Sequence, residues 1–251
     1  MFLGKWIKEF FIIINFNVFK LFQFRYVLKL TRSFYVFFTY FLSFFFFFNF
    51  FWVLLLPQDL NHGWNYKLMY LHVPSAWASF LIYLCLVFFS ILFIVFEDKF
   101  YFNLIRPLFL LGLFFCGVSL LTGCFWAKPL WGAYIVFDSR VVSYIFLLFI
   151  FLFLVIYDLY FPEYGMRWVS YFIIWNTMLI VFIKYSVDWF NTLHQNSSID
   201  VINNKVFVHD VMFYPLFSSF VFVVCFIFYV WVLDYRSFIL KRFVLKYLKK
   251  N

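Results

Sequence analysis

The sequence predicts an all-α, polytopic membrane protein whose six transmembrane helices pack as one bundle. Three observations predict it. Of 251 residues, 67% are hydrophobic and only 12% are charged, against roughly 45–50% and about 25% in ordinary soluble domains. One soluble core cannot hide that much apolar surface, whereas a bilayer solvates it along every lipid-facing helix. The apolar residues fall into six stretches near the ~20 residues a helix needs to cross about 30 Å of hydrocarbon. Lys and Arg, finally, are unevenly shared between alternate connections.

The six stretches run from Ser33 to Leu56, Met69 to Phe96, Leu104 to Trp126, Val141 to Tyr160, Trp168 to Val187 and Val211 to Leu233. They define one membrane domain, residues 33–233. Residues 1–32 alternate Lys with aromatic and aliphatic groups, but the longest uncharged run, Phe10 to Phe19, is too short to span, so a basic, amphipathic interfacial segment is expected. A signal peptide is the rival, because Lys5 and Lys8 precede an apolar run. No small-residue cleavage site follows that run. Residues 234–251 form a basic tail suited to anionic membrane lipid rather than to nucleic acid.

An even number of spans puts both termini on one side. That side holds 15 of the 20 basic residues: six in the N-terminal segment, Lys99, Arg106, Arg167, and six in the C-terminal tail. The other side holds only Lys67, Lys128, Arg140, Lys184 and Lys205. Positive residues resist translocation, so both tails are expected in the cytoplasm or mitochondrial matrix. Phe alone accounts for 47 residues, a drift toward one codon that points to an organelle or a reduced bacterium. The four cysteines, Cys85, Cys116, Cys124 and Cys225, include no C-x-x-C and no C-x-x-C-H, which argues against thiol chemistry and covalent c-type haem.

The outer connections are expected at Pro57 to Lys67, Ala127 to Arg140 and Asp188 to Asp210. All four histidines, His62, His72, His194 and His209, lie on or just inside that face. His72 opens the second span, where a polar side chain must find a partner, and Pro74 interrupts regular hydrogen bonding beside it. A purely structural His is the alternative there. His194 lies in a cluster, Asp188-Trp189-Phe190-Asn191-Thr192-Leu193-His194-Gln195; an ordinary loop His is its alternative. Between them runs Gly123 to Arg140, with Trp126, Lys128, Trp131, Tyr134, Phe137, Asp138 and Arg140. An interfacial aromatic belt would account for the Trp and Tyr, but not for the Gly and Pro punctuation.

Two neutral imidazoles, an apolar aromatic shelf and one or two cations suit haem. Its iron takes an imidazole on each axial side, its macrocycle prefers an apolar bed, and its propionates seek Lys or Arg. Bare copper or zinc would favour three or four close donors, and no short His spacing supplies them. A transporter with histidine proton relays would need ionisable residues near mid-membrane, and the spans offer almost none. Asp188, His194 and Ser197 share a loop, but no nucleophile elbow accompanies them.

Three blocks of the chain resemble the CcmC family of haem-handling proteins of cytochrome c maturation. They are His72-Val73-Pro74-Ser75-Ala76-Trp77, then Thr122-Gly123 with Lys128-Pro129-Leu130-Trp131-Gly132 through Asp138-Ser139-Arg140, and Trp189-Phe190-Asn191-Thr192-Leu193-His194-Gln195. The resemblance implies six spans, an outer tryptophan-rich WWD loop, and haem b held between two axial histidines, here His72 and His194. It implies Trp126, Lys128, Trp131, Tyr134, Phe137, Asp138, Arg140 and Trp189 as the surrounding binding residues. It also implies a transfer platform rather than an enzyme, an ABC-type transporter and the haem chaperone CcmE as partners, and the mitochondrial inner membrane, or a bacterial one, as location. Where the family has W-G-x-W-W-x-W-D, this chain has Tyr134, Ile135 and Phe137 at the last three Trp positions, removing three indole donors. A different class of function, an accessory subunit of a respiratory complex, would keep the same blocks only as packing residues.

Overall fold

The computed structural model describes residues 24–60, 63–190, 192–194, 199–200, 205–206 and 209–248. Among them are α1 (Phe24–Leu55), α2 (Met69–Phe96), α3 (Lys99–Trp131), α4 (Ser139–Tyr160), α5 (Met166–Trp175), α6 (Thr177–Trp189) and α7 (Asp210–Leu248). A 3-10 turn, Asn65–Leu68, leads into α2. A two-residue antiparallel ladder pairs β1 (Ile199–Asp200) with β2 (Lys205–Val206). Among the described residues, six stretches are long and apolar enough to cross a bilayer: Phe34–Leu55, Asn65–Phe96, Lys99–Trp131, Ser139–Tyr160, Met166–Trp189 and Asp210–Phe238. The expected all-α, six-span class is borne out.

Several boundaries move for identifiable reasons. The second span ends where the apolar pattern places it, at Met69 and Phe96, but α3 begins at Lys99 and continues through Trp131 rather than stopping at Trp126. Asp98 caps its start, accepting a 2.8 Å hydrogen bond from the Phe100 N–H. Its end is set by Gly132, whose left-handed backbone (φ 76°) donates N–H to the Lys128 carbonyl at 3.0 Å. The outer connection expected from Ala127 therefore starts only at Gly132. Residues 1–23 of the expected interfacial segment lie outside the described residues, and from Phe24 the backbone belongs to α1.

The described chain divides into two compact units. One joins α1 up to Ser43 with α7 from Phe228: Thr39 Oγ1 and Tyr229 Oη share a 2.6 Å hydrogen bond, and Phe34 meets Phe228 edge-on with centroids 6.1 Å apart. The other, Phe44–Ile227, contains the buried centre of α2 to α6. There α2 packs most broadly on α3, and α3 on α4, while α5 lies on α2 and α6 on α4. Tyr83, Phe102, Ile105, Phe109, Leu147, Phe151, Leu154 and Ile173 are essentially fully buried.

In lipid, helix association relies on close packing rather than on water exclusion, so small residues matter where helices touch. Gly112 is such a point, since a Cβ there would collide with the Phe151 ring, which is itself fully buried. Gly112→Ala is therefore expected to lower the unfolding midpoint in lipid nanodiscs, at an overpacking cost of about 1–3 kcal/mol. An unchanged midpoint would show that Phe151 can move aside. Near the α3 N-terminus the charges pair: Arg106 Nε donates to Asp158 at 2.6 Å, Lys99 meets Glu163 at 3.5 Å, and Arg167 meets Glu97 at 2.8 Å.

The fifth span is broken. At Asn176 the chain leaves α5 and restarts as α6, and the Asn176 Nδ2 donates back to the Phe172 carbonyl at 2.8 Å. The Ile173 carbonyl, left without its helical amide by the break, accepts from the Tyr83 hydroxyl of α2 at 2.9 Å.

Candidate functional site

His72 occupies the first turn of α2, and its neighbours come from the C-terminal half of α3. Ser119, Thr122, Gly123 and Trp126 recur at helical spacing, so one face of α3 presents all four to the start of α2. The His72 Nδ1 lies 2.8 Å from the Ser119 carbonyl. A carbonyl only accepts, so Nδ1 carries the proton and Nε2 keeps its lone pair. Thr122 is engaged mainly with the backbone, donating to the Val118 carbonyl at 2.7 Å, and stands 3.4 Å from the same His72 nitrogen. Trp126 meets the imidazole edge-on with centroids 5.7 Å apart.

Gly123 makes room for this ring. A Cβ at that position would lie 3.0 Å from His72 Cε1 and 3.3 Å from Nδ1. Leu56, Tyr66, Tyr70 and Leu216 form a buried cluster that gathers the ends of α1, α2 and α7, with Val73 and Trp77 packed against it. Tyr66 donates to the Pro57 carbonyl at 2.6 Å, and Lys67 donates to the Leu54 carbonyl at 2.7 Å, so the C-terminal end of α1 is tied to the start of the second span.

His194 is held from the opposite side in the chain. Its Nδ1 lies 2.6 Å from Asp138 Oδ2, and Trp131 packs on it edge-on at 5.0 Å between centroids. The other carboxylate oxygen of Asp138 caps α4, accepting from the Val141 N–H at 2.9 Å. The Asp138 side chain is only 7% exposed, against 22% for His194. An acceptor carboxylate again puts the proton on Nδ1 and leaves Nε2 available, the carboxylate–imidazole pairing typical of metal-ligating histidines. Ser139 reaches the Ser186 carbonyl at 3.5 Å, which draws the end of α6 toward the start of α4.

Arg140 lies within charge range of Asp138 and Asp188. Lys128 donates to the Gly132 carbonyl at 2.9 Å and stands 5.2 Å over the Tyr134 ring. Two buried polar atoms of the same region, Trp126 Nε1 and Thr192 Oγ1, have no hydrogen-bond partner among the described residues. Buried donors left in that state cost roughly 1–3 kcal/mol unless a ligand or water meets them.

The structure thus gathers His72 with Trp126, and His194 with Trp131 and Asp138, while Lys128 pairs with Tyr134 and Arg140 stands by the Asp138 carboxylate. It leaves two expected residues apart. Phe137 is exposed, and Trp189 stacks on Tyr185 of its own helix, centroids 5.8 Å apart. His209 is exposed and receives the Val211 N–H on Nδ1 at 3.3 Å, while His62 lies outside the described residues. Sequence reasoning missed Ser119 and the spatial role of Gly123. A Gly one helical turn before Trp126, on the face turned to α2, was the available signal.

These features fit haem on their own chemistry: two protonated-Nδ1 imidazoles with bare Nε2 atoms, indole edges beside each, unpaired donors and nearby cations. Among the described residues no three His, Cys, Asp or Glu side chains group as a bare-metal site.

Comparison with known proteins agrees with the resemblance read from the three sequence blocks. The haem exporter protein C (CcmC) family matches residues 18–249. A Marchantia polymorpha protein named as ccmC-like, mitochondrial and of cytochrome c biosynthesis is 37% identical over 183 residues, covering 73% of this chain and 77% of its own length. An Arabidopsis thaliana protein of the same name is 34% identical over 187 residues, 73% of this chain and 70% of that protein. Haem exporter protein C of Escherichia coli is 31% identical over 144 residues, 57% of this chain and 59% of that protein. With a family match over nearly its full length, the chain belongs to the haem exporter protein C family.

Proposed function

We propose that this protein binds haem b at the outer face of the inner mitochondrial membrane, between His72 and His194, and passes it to the haem chaperone CcmE for cytochrome c maturation. The observation that carries this reading is the matched state of the two imidazoles. Each has its Nδ1 proton committed to a fixed acceptor, and each keeps Nε2 free. Family membership and the names of the mitochondrial relatives support the pathway. The excess of basic residues in both tails supports an orientation with the termini in the matrix and the site facing outward.

In this reading the iron is cargo, and the protein holds it reversibly rather than reacting with it. Trp126 and Trp131 keep the two rings in place and offer an apolar border. Arg140 and Lys128 are the candidate cations for the propionates. Asp138 positions His194 and, by accepting a hydrogen bond from its Nδ1–H, strengthens the donor character of Nε2. ABC-type transporter subunits are the expected membrane partners, as the family implies.

Asp138→Ala is expected to weaken haem binding about 10- to 100-fold, the usual cost of losing a partner behind a metal-ligating His. Loss of the α4 cap would cost stability by only about 1 kcal/mol. Haem titration of the purified variant followed by its absorption band checks this, and wild-type affinity would refute the positioning role. The transfer itself is tested by mixing the haem-loaded protein in nanodiscs with apo-CcmE and separating the two. Haem should leave with the chaperone, and haem retained wholly by the membrane protein would contradict the proposal.

A further inference from the structure

The break at Asn176 changes which helices the fifth span packs against. Because α5 lies on α2 and α6 on α4, the fifth span crosses from one neighbour to the other at the break. A wedge opens between α4 and this span, a groove of about 430 Å³ lined by Phe146, Phe149, Ile150 and Phe153 of α4 and by Phe172, Asn176 and Leu179. Phe153 and Phe172 touch across it, centroids 4.9 Å apart. Phe146, Phe149 and Phe153 are all exposed there.

Asn176 is the eleventh residue of the 24-residue span Met166–Trp189, which places it at hydrocarbon depth. Its Nδ2 is committed to the Phe172 carbonyl, while its Oδ1 has no hydrogen-bond partner among the described residues. Acyl chains carry no donor, and water is scarce at that depth, so lipid filling the wedge would leave the amide oxygen unmet. A helix carrying a donor side chain would meet it, and hydrogen bonds of this kind between helices are worth enough to direct association. A second copy fits poorly, because a concave patch turned on itself across a two-fold axis leaves a void.

We propose that the wedge between α4 and the broken fifth span seats one transmembrane helix of a partner subunit, which donates a hydrogen bond from a mid-span polar side chain to Asn176. The recognition is chemical: an apolar ridge for the phenylalanine walls and one donor for the amide. It is independent of the haem reading.

The test uses the full chain in lipid nanodiscs with two synthetic probes, a polyleucine helix of about 20 residues with one central Asn and its all-leucine counterpart, and follows association by fluorescence energy transfer. The Asn helix should associate about 3- to 10-fold more tightly than the all-leucine helix. That preference should disappear in Asn176→Leu, and equally in Phe149→Trp, which fills the wedge from an exposed position. Equal association of both probes, or a preference surviving in both variants, would overturn the proposal. Self-association of the labelled chain that Phe149→Trp abolishes would assign the wedge to a second copy and overturn it as well.

Discussion

Replacing either His72 or His194 with Ala is expected to turn a six-coordinate, low-spin haem spectrum into a five-coordinate, high-spin one, with a fall in affinity exceeding the roughly 10- to 100-fold of an outer-shell loss. In this reading each imidazole supplies one Nε2, and among the described residues the one further histidine, His209, caps α7 from an exposed position. The two variants should differ in degree. His72 is enclosed by the Ser119 carbonyl, Gly123 and Trp126, so its loss leaves a pocket lined by protein. The His194 side chain is 22% exposed, and its loss opens the site to water. Added imidazole should restore the low-spin spectrum in both. A low-spin spectrum surviving in either variant would remove that residue from the iron.

Gly123→Leu is expected to abolish low-spin ligation almost as fully as His72→Ala, although Gly123 itself touches no iron. Even a methyl at this position would press on the imidazole at 3.0 Å, and a Leu side chain cannot be placed without driving His72 off the Ser119 carbonyl. Gly117 provides the control. A Cβ there would meet only Leu148, at 4.0 Å, so Gly117→Ala should keep the spectrum and slightly favour the helix. Haem titration of both variants decides the matter. Equal behaviour would mean that the crowding at Gly123 has no bearing on ligation.

Much of the fold was legible because hydropathy depends only on composition and length. The second span was delimited correctly at Met69 and Phe96, since a lipid-facing helix is apolar on every side and charged residues follow it directly. Local chemistry was harder to read. Ala127-Lys128-Pro129 looks like the start of a loop, yet Pro129 falls in the last turn of α3, where one lost amide bond costs little, and Gly132 supplies the true end. The break at Asn176 escaped notice because averaging over a 24-residue apolar span hides one amide.

The candidate residues were legible in the sequence, and their hydrogen-bond pairings were not. His72 and His194 stood out as polar groups at an apolar boundary, but their Nδ1 acceptors lie 47 and 56 residues away in the chain. No spacing rule connects residues at that distance. Asp138 was expected at the ligand itself. In the structure its carboxylate accepts from His194 Nδ1 and from the Val141 N–H at the start of α4. Trp189 was expected beside His194 because it is close in sequence, but the end of α6 turns it back onto Tyr185.

Two Nε2 atoms, one from His72 and one from His194, are expected to converge on a single iron. Pulsed hyperfine spectroscopy of the ferric, haem-loaded protein containing histidine labelled with ¹⁵N at Nε2 measures this directly. Two strongly coupled ¹⁵N nuclei are expected, falling to one in His72→Ala and to one in His194→Ala. A single coupled nucleus in the wild type, or two that persist in either variant, would contradict it.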